Sequence, residues 1–190
     1  MITVVIPTLD SERSLVATLA ALVQGSAEGL VREVLLADGG SRDGTHAIAD
    51  AAGCEIVAGP SDEGLRLGAA AQVARSDWIL FLEPGAVLEE IWTREVGVFV
   101  AGKNASADRV ATFRLAVDAE GPAARLRETS AAIRLALVGR PRPEQGLLIA
   151  KHYYRTLGGH SRGHDAHDRL LKMIGRGRVT VMRTRIMLPG

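Results

Sequence analysis

At 190 residues, 47% hydrophobic and 24% charged, with one cysteine and no long apolar run, the chain reads as one globular domain without internal disulfides or a spanning helix. The net charge of +1 hides an uneven distribution, because residues 1–93 carry 5 Lys/Arg against 14 Asp/Glu (net −9) and residues 94–190 carry 18 against 8 (net +10). A basic half suits nucleic acid, anionic lipid or a phosphorylated substrate, and the 4% aromatic content argues against nucleic acid, which needs stacking platforms.

The amino-terminal "MITVVIP" lacks the basic region and cleavage site of a signal peptide and reads as a strand over 2–6, stopped by Pro7. Asp10 or Ser11 can cap a helix whose apolar positions Leu15, Leu19, Leu22 and Val23 recur at helical spacing. "EVLLA" (33–37) reads as a buried strand ending in "DGGSRDGT", followed by a short helix over 45–52 that Gly53 stops. "EIVA" (55–58) is a third strand, 64–75 a small-residue helix and "WILFL" (78–82) a fourth strand. In the second half, "RVATFRLAVDA" reads as one or two strands, 123–138 as an amphipathic helix and "QGLLIAK" as a strand leading into a helix that "LGG" ends. "RVTVMRTRIML" alternates like a strand, with Arg183 and Arg185 on one face.

Repeated strand–helix units with continuous hydrophobic strands imply an α/β fold with a mostly parallel central sheet flanked by helices. Ligands in such sheets bind beyond the carboxyl ends of the strands, where "PTLDSE", "ADGGSRDGT" and "EPGA" all fall. Asp38 follows a buried strand and precedes two glycines that let backbone approach a ligand. Asp43 suits a helix cap, and Asp10 and Glu12 suit the start of the first helix.

"VVIPTLDSE", "LLADGGSRDGT", the strand ending "FLE", and "RTLGGH" before "HDAHD" together resemble the family 2 glycosyltransferases of the GT-A fold, over most of the chain and in the right order. The "DGGS" variant and the "EQGLLIAKHYYRTLGG" block look closer to the bacterial subgroup associated with radical-SAM and selenodomain proteins. The resemblance implies a single GT-A domain over 1–190, with a nucleotide-binding half (1–93) and an acceptor-side half (94–190). It implies transfer from a nucleotide-sugar, with inversion, to an acceptor that the sequence does not identify, and the basic half suits a lipid-linked or anionic one. It places Thr8, Asp10, Asp38, Arg66 and Glu83 in the donor site, with Asp38 on the nucleobase. Asp165 matches the family's general base, and His164, which replaces a Glu, is a second candidate.

The metal motif departs from the family. Asp-x-Asp generally ends the fourth strand and holds a divalent cation, Mg²⁺ or Mn²⁺, on the diphosphate. Here Glu83 matches the first acid and Gly85 replaces the second. Three arrangements stay open: Glu83 holds a metal with water and substrate phosphates, arginines such as Arg66, Arg140 or Arg142 neutralise the diphosphate, or catalysis is lost and the domain only binds a nucleotide-sugar or a partner. His160, His164, Asp165, His167 and Asp168 also offer ligands for a separate transition-metal site. A cytoplasmic location, with peripheral contact at the inner membrane face, fits the single cysteine and the basic half.

Overall fold

Four hydrophobic runs of the first half become the parallel part of one eight-stranded sheet: β1 (Ile2–Thr8), β2 (Val31–Asp38), β3 (Glu55–Ala58) and β4 (Trp78–Phe81). The computed structural model describes residues 1–103, 108–118, 141–175 and 177–189. The remaining strands are β5 (Val87–Leu88), β6 (Val110–Asp118), β7 (Leu147–Ala150) and β8 (Val179–Pro189). The sheet order is β3-β2-β1-β4-β7-β6-β8-β5. β7 runs antiparallel to both neighbours and β5 antiparallel to β8, so the sheet is mixed, with its parallel order concentrated around β1.

Every residue of β1 is buried, as expected of a central strand covered on both faces. Pro7 does not stop it. The ladder to β4 ends at Val5↔Phe81, while Pro7 still pairs in register with Ala37 of β2. Proline's missing N–H points to the side where the ladder has already ended, and no bond is lost.

The helices are α1 (Glu12–Ala27), α2 (Thr45–Ala51), α3 (Glu63–Val73), α4 (Trp92–Ala101), α5 (Lys151–Thr156) and α6 (Ala166–Met173), with a 3₁₀ turn at Pro143–Gln145. α1 buries Leu15, Thr18, Leu22 and Gly25, whereas Val23 faces solvent, so its inner face is set slightly differently from the apolar spacing in the sequence. Gly25 leaves room for the buried Trp92, whose indole N–H donates to the Ala21 carbonyl at 3.2 Å. The helix expected at 123–138, and Arg140, lie outside the described residues.

α3 and α6 meet through Gly64. A Cβ there would stand 1.9 Å from the Ser161 carbonyl oxygen and 2.5 Å from the Ala166 Cβ. This contact fixes α3, which carries Arg66, against the segment that carries Asp165. Gly64→Ala is expected to lower stability by about 1–3 kcal/mol through overpacking. Gly97→Ala in α4, where nothing lies within 4 Å of the new methyl, is expected to be neutral or stabilising. Thermal melts of the two variants check the difference.

Candidate functional site at the strand ends

The carboxyl ends of β1, β2 and β4 bring Thr8, Asp38 and Glu83 to one edge of the sheet. Asp38 is 2% exposed yet accepts five hydrogen bonds. Its Oδ1 accepts from the Thr8 hydroxyl at 2.9 Å and the Ser41 hydroxyl at 2.5 Å. Its Oδ2 accepts from the Gly40 and Ser41 N–H groups, each at 2.9 Å, and faces His46 Nε2 at 3.0 Å. Burial opposes its charge, but the bonds from Ser41, His46 and Thr8 outweigh burial and hold the carboxyl well below the usual range.

The loops after β1 and β2 are laced together by the other acids. Asp10, at φ +50°, donates its N–H to the Ser41 hydroxyl and accepts the Arg42 N–H at 2.6 Å. Asp43 accepts from Glu12 N–H at 2.9 Å and from the N–H and hydroxyl of Thr45, so it serves the starts of both α1 and α2. Glu12 returns the contact by accepting the Gly44 N–H at 2.9 Å. Asp10, Glu12, Asp38 and Asp43 are thus engaged in building the rim of the site.

Glu83 is different. It starts a tight turn in which the Ala86 N–H donates to the Glu83 carbonyl at 3.1 Å, with Pro84 and Gly85 at the centre. Gly85 has φ +96°, the geometry that a Pro-Gly turn of this class demands at its third residue. Its N–H is fixed by the Thr18 hydroxyl at 2.8 Å. The backbone itself therefore favours glycine at this position. Burial, and then the nearby charges of Glu63 and Glu144, push the Glu83 carboxyl up to about 7, while Arg66 pulls it down.

Arg66 is 5% exposed and lies against Gly39, where a Cβ would sit 3.2 Å from Nη1. Nη1 donates to the Ser61 carbonyl at 2.7 Å and Nη2 stands 3.8 Å from Glu63, while Nε has no hydrogen-bond partner among the described residues. Arg142 lies at the start of the 3₁₀ turn that carries Glu144.

Asp165 and His164 are exposed at the start of α6, and Asp165 Oδ1 accepts from Arg169 one turn on. His160 and His167 do something else. Tyr154 accepts the His160 backbone N–H at 3.0 Å, its hydroxyl meets Nδ1 at 2.9 Å, and His160 Nε2 meets His167 Nδ1 at 3.1 Å. Both rings pack edge-on against Phe81, and burial keeps both neutral. The separate metal site is thereby corrected. Residues 160 and 164 lie before α6 rather than on a helix, the buried pair bonds to itself, and among the described residues no three His, Cys, Asp or Glu side chains could hold a metal ion. The same finding bears on Glu83, whose surroundings do not fit a cation held by protein ligands alone.

Asp62 has no counterpart in the sequence reading. It caps α3 through the Leu65 N–H at 3.1 Å and accepts the Gly163 N–H at 3.0 Å, tying α3 to the Asp165 segment. An acid followed by a helical run was the visible cap signal, but the contact across 101 residues was not.

Residues 3–90 match the family model for Glycosyl transferase family 2. The whole chain superposes on Mycobacterium tuberculosis glucosyl-3-phosphoglycerate synthase, solved with Mn²⁺, UDP and glucosyl-3-phosphoglycerate, at TM-score 0.70 and 18% identity over 70% of that chain. The fold is that of the GT-A glycosyltransferases. Staphylococcus aureus TarS, residues 1–349, shares this GT-A fold with UDP bound (TM-score 0.72, 12% identity) and with UDP-GlcNAc bound (0.70, 14%). The present chain is covered in full in both, but it spans only 60% and 58% of those chains. No curated protein matches the sequence.

Two outcomes test this part of the GT-A fold. Asp38→Ala strips the acceptor from buried donors and is expected to cost about 3 kcal/mol, measured by denaturant unfolding. For Glu83, the unfolded chain releases its proton near the ordinary glutamate value and the folded chain only near 7, so the folded state binds more protons between these values. Stability is therefore expected to fall as pH rises from about 4.5 to 7, and Glu83→Gln should flatten that slope in thermal melts.

Proposed function

We propose that the chain transfers a sugar from a nucleotide-sugar donor to an acceptor hydroxyl, with inversion at the anomeric carbon. The observation that carries this reading is the family 2 match over 3–90, laid on a GT-A fold whose strand ends gather Thr8, Asp38 and Glu83 beside Arg66. The structural neighbours bound to UDP and UDP-GlcNAc support a uridine nucleotide as the first donor to try. Thr8, Asp10 and Asp38 frame the nucleoside end, and Arg66 and Glu83 the diphosphate end. Membership in the radical-SAM-associated subgroup, and a cytoplasmic site with peripheral membrane contact, belong to the same reading. A lipid-linked or anionic acceptor belongs to it as well.

In the transfer, the Asp165 carboxylate takes the proton of the acceptor hydroxyl, with His164 as the other candidate base. The freed oxygen attacks the anomeric carbon, and the bond from that carbon to the diphosphate oxygen breaks. Negative charge then grows on the leaving nucleoside diphosphate, and Arg66 is the buried cation nearest the Glu83 turn. A protonated Glu83 would add a donor there instead of a second negative charge. A Mg²⁺ or Mn²⁺ ion would have to draw most of its ligands from phosphate and water, with Glu83 as its protein contact. The Mn²⁺ in the mycobacterial synthase keeps this cation in view.

A second reading, a nucleotide-sugar-binding domain without catalysis, draws on the Pro84–Gly85 turn that replaces the second acid. A thermal-shift screen of nucleotide-sugars with Mg²⁺, with Mn²⁺ and with chelator separates these readings. At least one donor is expected to stabilise the protein, by about 2.7 kcal/mol at a hundredfold excess over Kd, and the effect should survive chelator and vanish in Arg66→Ala. Asp165→Ala should keep the shift and lose transfer by a factor of about 100 or more. No stabilisation by any donor would sink both readings, and binding without transfer by the wild type would select the second.

A further inference from the structure

We propose that a groove of about 740 Å³ between α4 and β8 is a docking surface for an anionic phospholipid bilayer. Its apolar wall includes Ile91, Val98 and Val181, which are 52%, 70% and 39% exposed. Its charged lining is Arg94, Arg109, Arg183 and one acid, Glu95.

That acid answers Arg183 in part and is otherwise committed to the backbone of β8. β8 breaks register against β6 between the partners of Thr112 and Arg114, and the break leaves N–H groups of β8 without a strand to meet. Glu95 supplies the acceptor. Its Oε2 takes the N–H and hydroxyl of Thr184 at 2.8 and 2.6 Å, and its Oε1 takes the Arg183 N–H at 3.2 Å. Burial works against the Glu95 charge, but these bonds outweigh it and hold the carboxyl below its usual value. Arg109 is steadied by the Thr180 hydroxyl at 3.0 Å. Arg94 and Arg183 are exposed and form no salt bridge with a carboxylate among the described residues.

Exposed aliphatics beside Arg94 and Arg109, with Arg183 only partly answered by Glu95, match a bilayer, whose phosphates accept bidentate bonds and whose acyl boundary takes the apolar side chains. A peptide strand fits less well, since Glu95 already occupies the N–H groups that edge pairing would use. The position is also compatible. β6 and β8 begin at Val110↔Val179, and β6 runs in the direction of β4 because both are antiparallel to β7. Through Ala111↔Leu148 and Leu80↔Leu148, Thr180 and Val181 stand level with Leu80 and Phe81, so the groove is set apart from the donor site across the sheet, three strands from β4.

Co-sedimentation of the full chain with vesicles of phosphatidylglycerol and phosphatidylcholine, against pure phosphatidylcholine, tests the surface. Binding is expected to the anionic vesicles alone and to weaken with salt. Each arginine at such a surface is worth about fivefold in partitioning, so the double change Arg94→Glu with Arg183→Glu should weaken binding about twentyfold or more. Val98→Asp should weaken it severalfold. Val98→Asp, on the exposed face of α4, should alter neither the melting temperature nor the nucleotide-sugar shift, which keeps this test independent of the donor site. Equal binding to both vesicles would overturn the proposal. So would wild-type binding by either variant, or capture of poly-glutamate without any vesicle binding.

Discussion

Asp38 keeps a negative charge almost wholly out of solvent, and the loops above the sheet are built to hold it there. Five donors converge on it from the end of β1, the loop after β2 and the start of α2. An ionised carboxylate has about four good acceptor sites, so these bonds saturate it. Desolvation of such a group is costly unless every site is matched. The matching donors can stand in place only when β1 and β2 are in register and Gly40 and Ser41 fold back beneath them. The Thr8–Asp38 bond crosses the same pair of strand ends that Thr8↔Asp38 pairing aligns, so the sheet and the rim of the site are one construction.

Glu83 occupies the equivalent place on β4 with none of that support. Among the described residues no donor meets its carboxylate, and Glu63 and Glu144 press on it while Arg66 draws it back. The same sheet edge thus holds one carboxylate fixed as an anion and another poised near neutrality. The difference arises in the connections. "DGGS" turns its N–H groups toward the strand end, whereas "EPGA" has a proline without an N–H and a glycine whose N–H goes to Thr18. An anion arriving beside Arg66 would meet a Glu83 able to take up a proton, which removes the repulsion that a second fixed acid would impose.

The strands, most helices and the gathering of motifs at one edge were legible because period and punctuation are local properties of the chain. Pro7 misled because proline's cost depends on which neighbour its missing N–H faces, and that is decided by where β4 ends. The histidines after Gly159 read as ligands by spacing, yet burial under Phe81 makes two of them a packed, hydrogen-bonded pair with Tyr154. Asp10, Glu12 and Asp43 were visible as acids near helix starts, but their cross-loop bonds span about thirty residues and leave no periodic trace. Glu95 gave no signal, since its role is to cap a register break in a strand far along the chain.

The acidic balance of the first half looks at first like a barrier to a diphosphate. Charge counted along a sequence is not potential at a site. Asp10, Glu12, Asp38, Asp43 and Asp62 each accept backbone N–H groups, several of them at helix starts where the peptide dipoles already favour an anion. Their fields are largely answered by the donors they hold. Among the described residues, what faces the Glu83 turn is a small balance among Glu63, Glu83, Glu144 and Arg66. Because Glu83 titrates near 7, that balance can shift by one charge at neutral pH without moving a strand. A proton on Glu83 would leave Arg66 the stronger charge facing the turn, whereas a second fixed acid there would leave it outweighed.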